Sequence, residues 1–414
     1  NVRLSASAIG QEERILKVAF GHKGKTLGLA GCSITVEGDK NDYQGNPPPA
    51  PPEPPSPERL PLVVDSQEAP DLTIQILVAQ EPSGSRRLVF TFDCTDAVIA
   101  PQIRALRGQV RIQGEREFVQ SITFPAAQML GAGVFRLLVG QGKLIRERAT
   151  PPEMWTAIGM VRARVKEPHI LIASEEPFIP WELAYVSTPI LTGPPFLGAQ
   201  VALSRWIISA TNVVQAPPSK IPSTTAEVLV GRYDGVRWPR LENAERESDE
   251  VAGLFGTAAT NADLKNIFTA LDRSPTRDVL HIAGHGVAGG FEDGIITSDN
   301  LHVVPAQVRG SQISGMPLVY LNACEVGQGA QTLGGYGGMA EAFVSQGASA
   351  VIAPIWRVSD AEAREVALRF YAGMRANKTA GEVMREIRSD FKETSLSATV
   401  LAYQLFGNPR LKLA

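Results

Sequence analysis

Cysteine is scarce: Cys32, Cys94 and Cys324 are the only three in 414 residues. They lie far apart, are odd in number and lack CxxC spacing, which excludes a disulfide framework and makes a reducing cytoplasm the natural compartment. The five histidines do not cluster with them, so no metal site is expected. No basic block or aromatic-basic interleaving is present and the net charge is −3, which argues against nucleic acid or an anionic membrane as the main partner. The longest apolar stretch, around Ala348 to Trp356, is far too short to span a bilayer and reads as a buried strand. The chain starts at Asn1 without a signal-like segment, which suits a processed piece and leaves N-terminal targeting open. No cofactor fingerprint and no solenoid repeat stand out.

What is present is a globular composition, 44% hydrophobic and 20% charged, long enough for two or three folding units. Residues 1–45 carry short apolar runs (Ile15 to Phe20, Ser33 to Val36) and read as a small β-rich module. Residues 46–62, NPPPAPPEPPSPERLPL, favour extended polyproline and form a linker, with a ligand for a Pro-binding module as the alternative. Residues 63–117 read as a β-rich domain, since LTIQILVAQ, RRLVFTFDC and GQVRIQG have strand character. The pattern then becomes mixed, with helices at Phe124 to Val139 and Pro152 to Val165 and a strand at His169 to Ala173.

After Ala216 to Pro222, strands and helices alternate. Strands are predicted at Glu227 to Gly231, Asp278 to Ala283, Pro317 to Asn322 and Ser349 to Trp356. Helices are predicted at Ala244 to Phe255, Ala262 to Leu271 (capped by Asn261), Gly338 to Gln346, Ser359 to Arg375 and Thr379 to Phe391. Such alternation implies a parallel sheet covered by helices on both faces, that is, an α/β fold.

Reactive groups in such a sheet belong just beyond the carboxyl ends of the strands. DVLHIAGHG ends its apolar run at Ala283, with His285 between two glycines in the next turn. PLVYLNACE ends near Asn322, with Cys324 just beyond. An imidazole beside a thiol raises the thiolate fraction or takes the proton during attack, the chemistry of nucleophilic acyl transfer. The amides of Gly286 and Cys324 are candidate oxyanion donors. Each residue also has a plainer reading, Cys324 as a small core residue and His285 as a turn residue. His281, inside the strand, is the rival base and is read as structural.

The segments HIAGHG, LNACEVG, IPWELAY and VIAPIWRVSDAEA together resemble CHAT-domain peptidases, a caspase- and separase-related branch of the clan CD cysteine peptidases. The likeness spans Phe118 to Ala414 and is strongest from Asp278 to Ala363. It implies a caspase-like parallel sheet flanked by helices, with residues 118–215 as a packed, inactive half and 216–414 as the catalytic half. It places the catalytic base on His285 and the nucleophile on Cys324, and makes Trp181 and Glu182 structural. FGNP, Phe406 to Pro409, resembles the family's closing turn. The resemblance further implies substrate pairing with the strand before WRVSD, around Trp356 and Arg357, and an arginine pocket lined by Asp360. Asp293 is a rival pocket acid. Ser359 and Glu362 also read as a capping box, with Asp360 favourable to the helix dipole.

Gly327 to Gly338 lacks the GK[ST] ending of a phosphate loop and reads as a loop that orders on activation. The expectation is a cytoplasmic thiol endopeptidase cleaving a protein substrate after a basic residue, arginine favoured. The resemblance implies a bacterial setting, with a role in antiviral defence or cell death and an activating protein or ligand; no cofactor, nucleic acid or membrane is expected. The alternative is a catalytically silent caspase-like scaffold that binds partners.

Overall fold

The computed structural model describes residues 12–22, 25–36, 68–80, 86–112, 118–122, 131, 133–176, 178–208, 217–287, 294–323, 330–332 and 335–414. Eleven strands form one sheet. In chain order they are β1 Leu72–Gln80, β2 Arg86–Cys94, β3 Arg107–Ile112, β4 His169–Ser174, β5 Ala202–Ile207 and β6 Ala226–Val230. They continue with β7 Thr260–Asn261, β8 Val279–Gly284, β9 Leu318–Ala323, β10 Ala350–Pro354 and β11 Tyr403–Phe406. The order across the sheet is β7-β6-β8-β9-β10-β11-β5-β4-β1-β2-β3. Outside it, residues Glu12–His22 and Lys25–Val36 pair antiparallel.

The helices that matter below are α1 Val134–Ala149, α2 Pro152–Arg162, α3 Glu242–Leu254, α4 Leu264–Leu271, α5 Met339–Ser345, α6 Asp360–Arg375 and α7 Ala380–Ser389. The fold is therefore mixed α/β, with a large, mainly parallel sheet flanked by helices. Among the described residues, no helix is long and apolar enough to cross a membrane.

Burial explains the strand patterns. VLHIAG, LVYLNA and AVIAP are buried at every position, because helices cover both faces of β8, β9 and β10. RRLVFTFDC instead alternates, burying Leu88, Phe90, Phe92 and Cys94, as a strand with one covered face must. Residues 63–117, expected as a β-rich domain, contribute β1, β2 and β3 to this same sheet: β1 pairs in parallel with β4.

Pairing is antiparallel at β10/β11, β1/β2 and β2/β3, and parallel elsewhere. Since β11, β5, β4 and β1 run together and oppose β6, β8, β9 and β10, the two halves of the sheet point opposite ways. The carboxyl ends of β4 and β5 thus lie at the far edge from those of β8 and β9. The PWEL segment belongs to that far half. Trp181 is buried in the core, against Phe90, and buried Glu182 accepts from Arg205 Nε at 2.8 Å. Burial would raise the Glu182 pKa, but the Arg205 charge and hydrogen bonds outweigh it and lower it. Both residues are structural here.

Several predicted boundaries move. The helix expected at Phe124 to Val139 runs from Val134 to Ala149, while residues 123–130 and 132 lie outside the described residues. The cap of α4 is Asp263, not Asn261: its carboxylate accepts from Asn266 N at 2.8 Å. The Ser359–Glu362 capping box does not form. Ser359 makes no side-chain cap, and Glu362 accepts instead from Ser397 Oγ. The box does form at α7, where Thr379 and Glu382 exchange both bonds. Of Gly327 to Gly338, residues Ala330–Thr332 and Gly335–Gly337 pair antiparallel; residues 327–329 and 333–334 lie outside the described residues.

Candidate active site

The site grows out of three adjacent strand ends. In β8 and β9 the register pairs Ala283 with Asn322 and, as the last rung, Gly284 with Ala323. His285 and Cys324 are the next residues in sequence after that rung. Cys324 lies outside the described residues, as does Asp293. The third strand, β6, is the other neighbour of β8 and leads into the loop GRYDGVRWPR.

That loop builds the surroundings of His285. Tyr233 is buried, and its hydroxyl accepts from the His285 backbone N–H at 2.8 Å while donating to Ile296 O at 2.8 Å. Its ring lies 4.7 Å from the imidazole, and Trp238 packs at 5.2 Å. Burial pushes the Tyr233 pKa far up, so it acts as a neutral hydroxyl. Room for this hydroxyl comes from two glycines. A Cβ on Gly231 would come within 2.3 Å of the Tyr233 hydroxyl oxygen, and one on Gly284 within 2.7 Å. Gly284 is thus required by close packing. Gly286 opens a short strand paired with Ile295.

His285 Nε2 lies 2.8 Å from Pro239 O. A carbonyl oxygen only accepts, so this partner assigns the proton to Nε2 and leaves the Nδ1 lone pair available in the neutral ring.

A cavity of about 430 Å³ opens beside these residues, lined among others by Trp238, His285, Gly286, Asn322, Arg357 and Asp360. Arg357 is exposed at it. Trp356 is not among the lining residues: it is only 1% exposed and belongs to the hydrophobic core, which fits packing better than substrate contact. Residues 350–352 of β10 pair with β9 and residues 351–354 with β11, so a peptide could pair with this segment only beyond Ile352, on the β9 side.

Asp360, first residue of α6, already has partners. Oδ2 accepts from Asn243 N and Nδ2, both at 3.0 Å, and Oδ1 from Ala244 N at 3.1 Å. It therefore caps α3 across the helix interface, satisfying amides that a helix start leaves orphaned.

Sequence reasoning missed Tyr233, Trp238 and Pro239. Their signal was available: a Tyr, a Trp and a Pro clustered in a polar loop just after the β6 strand.

A family model for the CHAT domain matches residues 96–399. A search of curated protein sequences found no match. Among solved structures, the chain is similar to the Saccharomyces cerevisiae separase–securin complex, at 10% identity and a TM-score of 0.48. That likeness covers 81% of this chain and 30% of the separase chain, so this chain spans under a third of the separase length. It is also similar to the Arg-specific cysteine proteinase gingipain R, at 13% identity and a TM-score of 0.42, covering 67% of this chain and 74% of that one. The complex of Porphyromonas gingivalis RgpB pro- and mature domains matches at 13% identity and a TM-score of 0.40, covering 67% of this chain and 70% of that one. With the family model spanning most of its length, the chain belongs to the CHAT-domain family.

Proposed function

We propose that the chain is a regulated cysteine endopeptidase, with Cys324 as nucleophile and His285 as base, cleaving a protein substrate after a basic residue. The observation that carries this reading is the last rung of β8 and β9: Gly284 pairs with Ala323, one residue before each candidate. Neighbouring strands lie about 4.8 Å apart, so a parallel rung one residue before each candidate supports reading the two as partners.

The chemistry then follows. His285 Nδ1 takes the Cys324 proton while Nε2 stays on Pro239 O. The sulfur attacks the peptide carbonyl carbon, and the oxyanion accepts from the amides of Gly286 and Cys324. Collapse expels the amine, which takes its proton from His285. Water, deprotonated by the same ring, hydrolyses the thioester and frees the sulfur.

For the residue before the cleaved bond, the candidate acid on the cavity is Asp360, with Asp293 its rival. Three of about four acceptor positions on the Asp360 carboxylate are taken by α3, so it attracts a guanidinium by charge and one hydrogen bond rather than a two-bond fork. The scarcity of cysteine favours a cytoplasmic setting, and the family resemblance adds an activating protein or ligand and a role in defence or cell death.

The test is turnover of fluorogenic peptides ending in Arg, Lys or Asp, beside Cys324→Ala and His285→Ala. Cleavage after Arg or Lys, lost in both variants, is expected. No turnover on any peptide would favour a catalytically silent scaffold.

A further inference from the structure

Beneath the cavity lies a group of buried polar side chains that the reaction above does not use. At its centre is Glu247, on α3 and fully buried. A carboxylate there costs several kcal/mol unless partners satisfy it. Its partners come from the strands that precede His285 and Cys324. Asn322 Nδ2 donates to Oε1 at 2.8 Å and to Oε2 at 2.7 Å. His281 Nε2 lies 3.0 Å from Oε1, close but not aligned as a hydrogen bond. The other ring nitrogen, Nδ1, meets the Tyr371 hydroxyl at 3.1 Å, and Tyr320 stacks on the ring at 5.2 Å.

Asn322 is held at its other end too. Its Oδ1 accepts from the Tyr403 hydroxyl at 2.5 Å. Tyr403 starts β11, paired with Pro354 at the carboxyl end of β10, and its backbone carbonyl accepts from buried Arg388 at 2.8 Å. Asn322 thus bridges α3 on one side and β11 on the other, two residues before Cys324. Well-packed apolar side chains would serve stability as well or better, since buried charge is rarely a net gain. What fixed hydrogen bonds add is orientation: an amide bonded through both N and O cannot rotate, and the strand end that carries it cannot twist.

We propose that Glu247, Asn322 and Tyr403 are a positioning set that holds the carboxyl end of β9 in register with β8, and so aligns the Cys324 thiol with the His285 ring. The proposal rests on the dyad reading above. A misplacement of about 1 Å costs on the order of 100-fold in rate, so small slackening at Asn322 is measurable.

The test is alkylation of Cys324 by iodoacetamide from about pH 5 to about pH 9, mapped by mass spectrometry to separate Cys324 from Cys32 and Cys94. The variants are Tyr403→Phe, Asn322→Asp and the pair Asn322→Asp with Glu247→Gln; the groups facing Glu247 (His281, Tyr371 and Tyr320) stay untouched. In the wild type, the rate should rise at a pH below the ordinary thiol range. Tyr403→Phe keeps the ring and should fold, yet slow alkylation at neutral pH about tenfold and move its rise towards the ordinary range. Asn322→Asp sets two carboxylates together and should do more, while the pair restores a donor facing an acceptor and should recover most of the rate. A lowered melting temperature with an unchanged alkylation profile overturns the proposal, as does an ordinary thiol profile in the wild type. Failure to cleave any peptide, alongside a profile that shifts in Tyr403→Phe, strikes the peptidase reading alone.

Discussion

Gly284 and Ala323 form the last rung between β8 and β9, and the residues next in sequence are His285 and Cys324. A parallel pair in this register delivers its next residues to one edge of the sheet. Whatever chemistry this chain performs through those two side chains depends on that rung and on the loop that covers it.

The first prediction concerns that cover. Tyr233→Phe removes the acceptor of the His285 amide and the donor to Ile296 O. Each buried group left unpaired costs about 1–3 kcal/mol. The variant should melt several degrees lower and lose activity on any peptide the wild type cleaves. Thermal denaturation and a peptidase assay check both.

Glycine substitutions separate packing from propensity. Gly284→Ala would drive a methyl into the Tyr233 hydroxyl and should cost about 1–3 kcal/mol. Gly140→Ala, on an exposed turn of α1 with open space around it, should stabilise by about 0.5–1 kcal/mol. Chemical denaturation of both variants against the wild type reads the two signs.

Asp360 has two roles that can be pulled apart. Asp360→Ala should lower stability by about 1 kcal/mol through loss of the α3 cap, and should reduce cleavage after Arg. With one acceptor position left, discrimination of Arg over Lys should be modest, within about tenfold. If cleavage after Arg persists in Asp360→Ala, the pocket acid lies elsewhere, with Asp293 next to be tested.

Acid sensitivity should follow a cluster at the amino ends of β1 and β4. Burial would raise the Asp71 pKa, but hydrogen bonds from His169 and the Arg410 charge hold it below its ordinary value. Glu382 is likewise lowered against burial, by its bond to the Thr379 amide and by the nearby His169. A depressed carboxylate stabilises the folded state above its unfolded pKa, about 4, and that contribution is lost as pH falls through the folded value. Asp71→Asn should therefore lie well below wild type in stability at neutral pH, with the gap narrowing in acid. Denaturant midpoints at several pH values measure it.

Much of this architecture was legible from residue pattern. VLHIAG, LVYLNA and AVIAP are unbroken apolar runs because both faces are covered, and RRLVFTFDC alternates because one is. β11 was not legible, since YQLF is four residues long and its pairing is set by β10 and β5 across the chain. The position of His285 beyond its strand was readable, whereas its partner Pro239 O was not, because a backbone carbonyl leaves no mark on composition. Glu247 falls inside a predicted helix, but its role was not legible, because its burial depends on Asn322 and His281 lying opposite it. The Ser359–Glu362 motif matched a capping box but lost its glutamate to Ser397, a contact 35 residues away in sequence.

The central claim is that Cys324 is a nucleophile activated by His285. Its most direct measurement is mass-spectrometric mapping of the chain after treatment with an arginyl chloromethyl ketone, in wild type and in His285→Ala. The account predicts a single adduct on Cys324, absent from Cys32 and Cys94 and lost in His285→Ala. No adduct on Cys324, or an adduct that forms equally without His285, would contradict it.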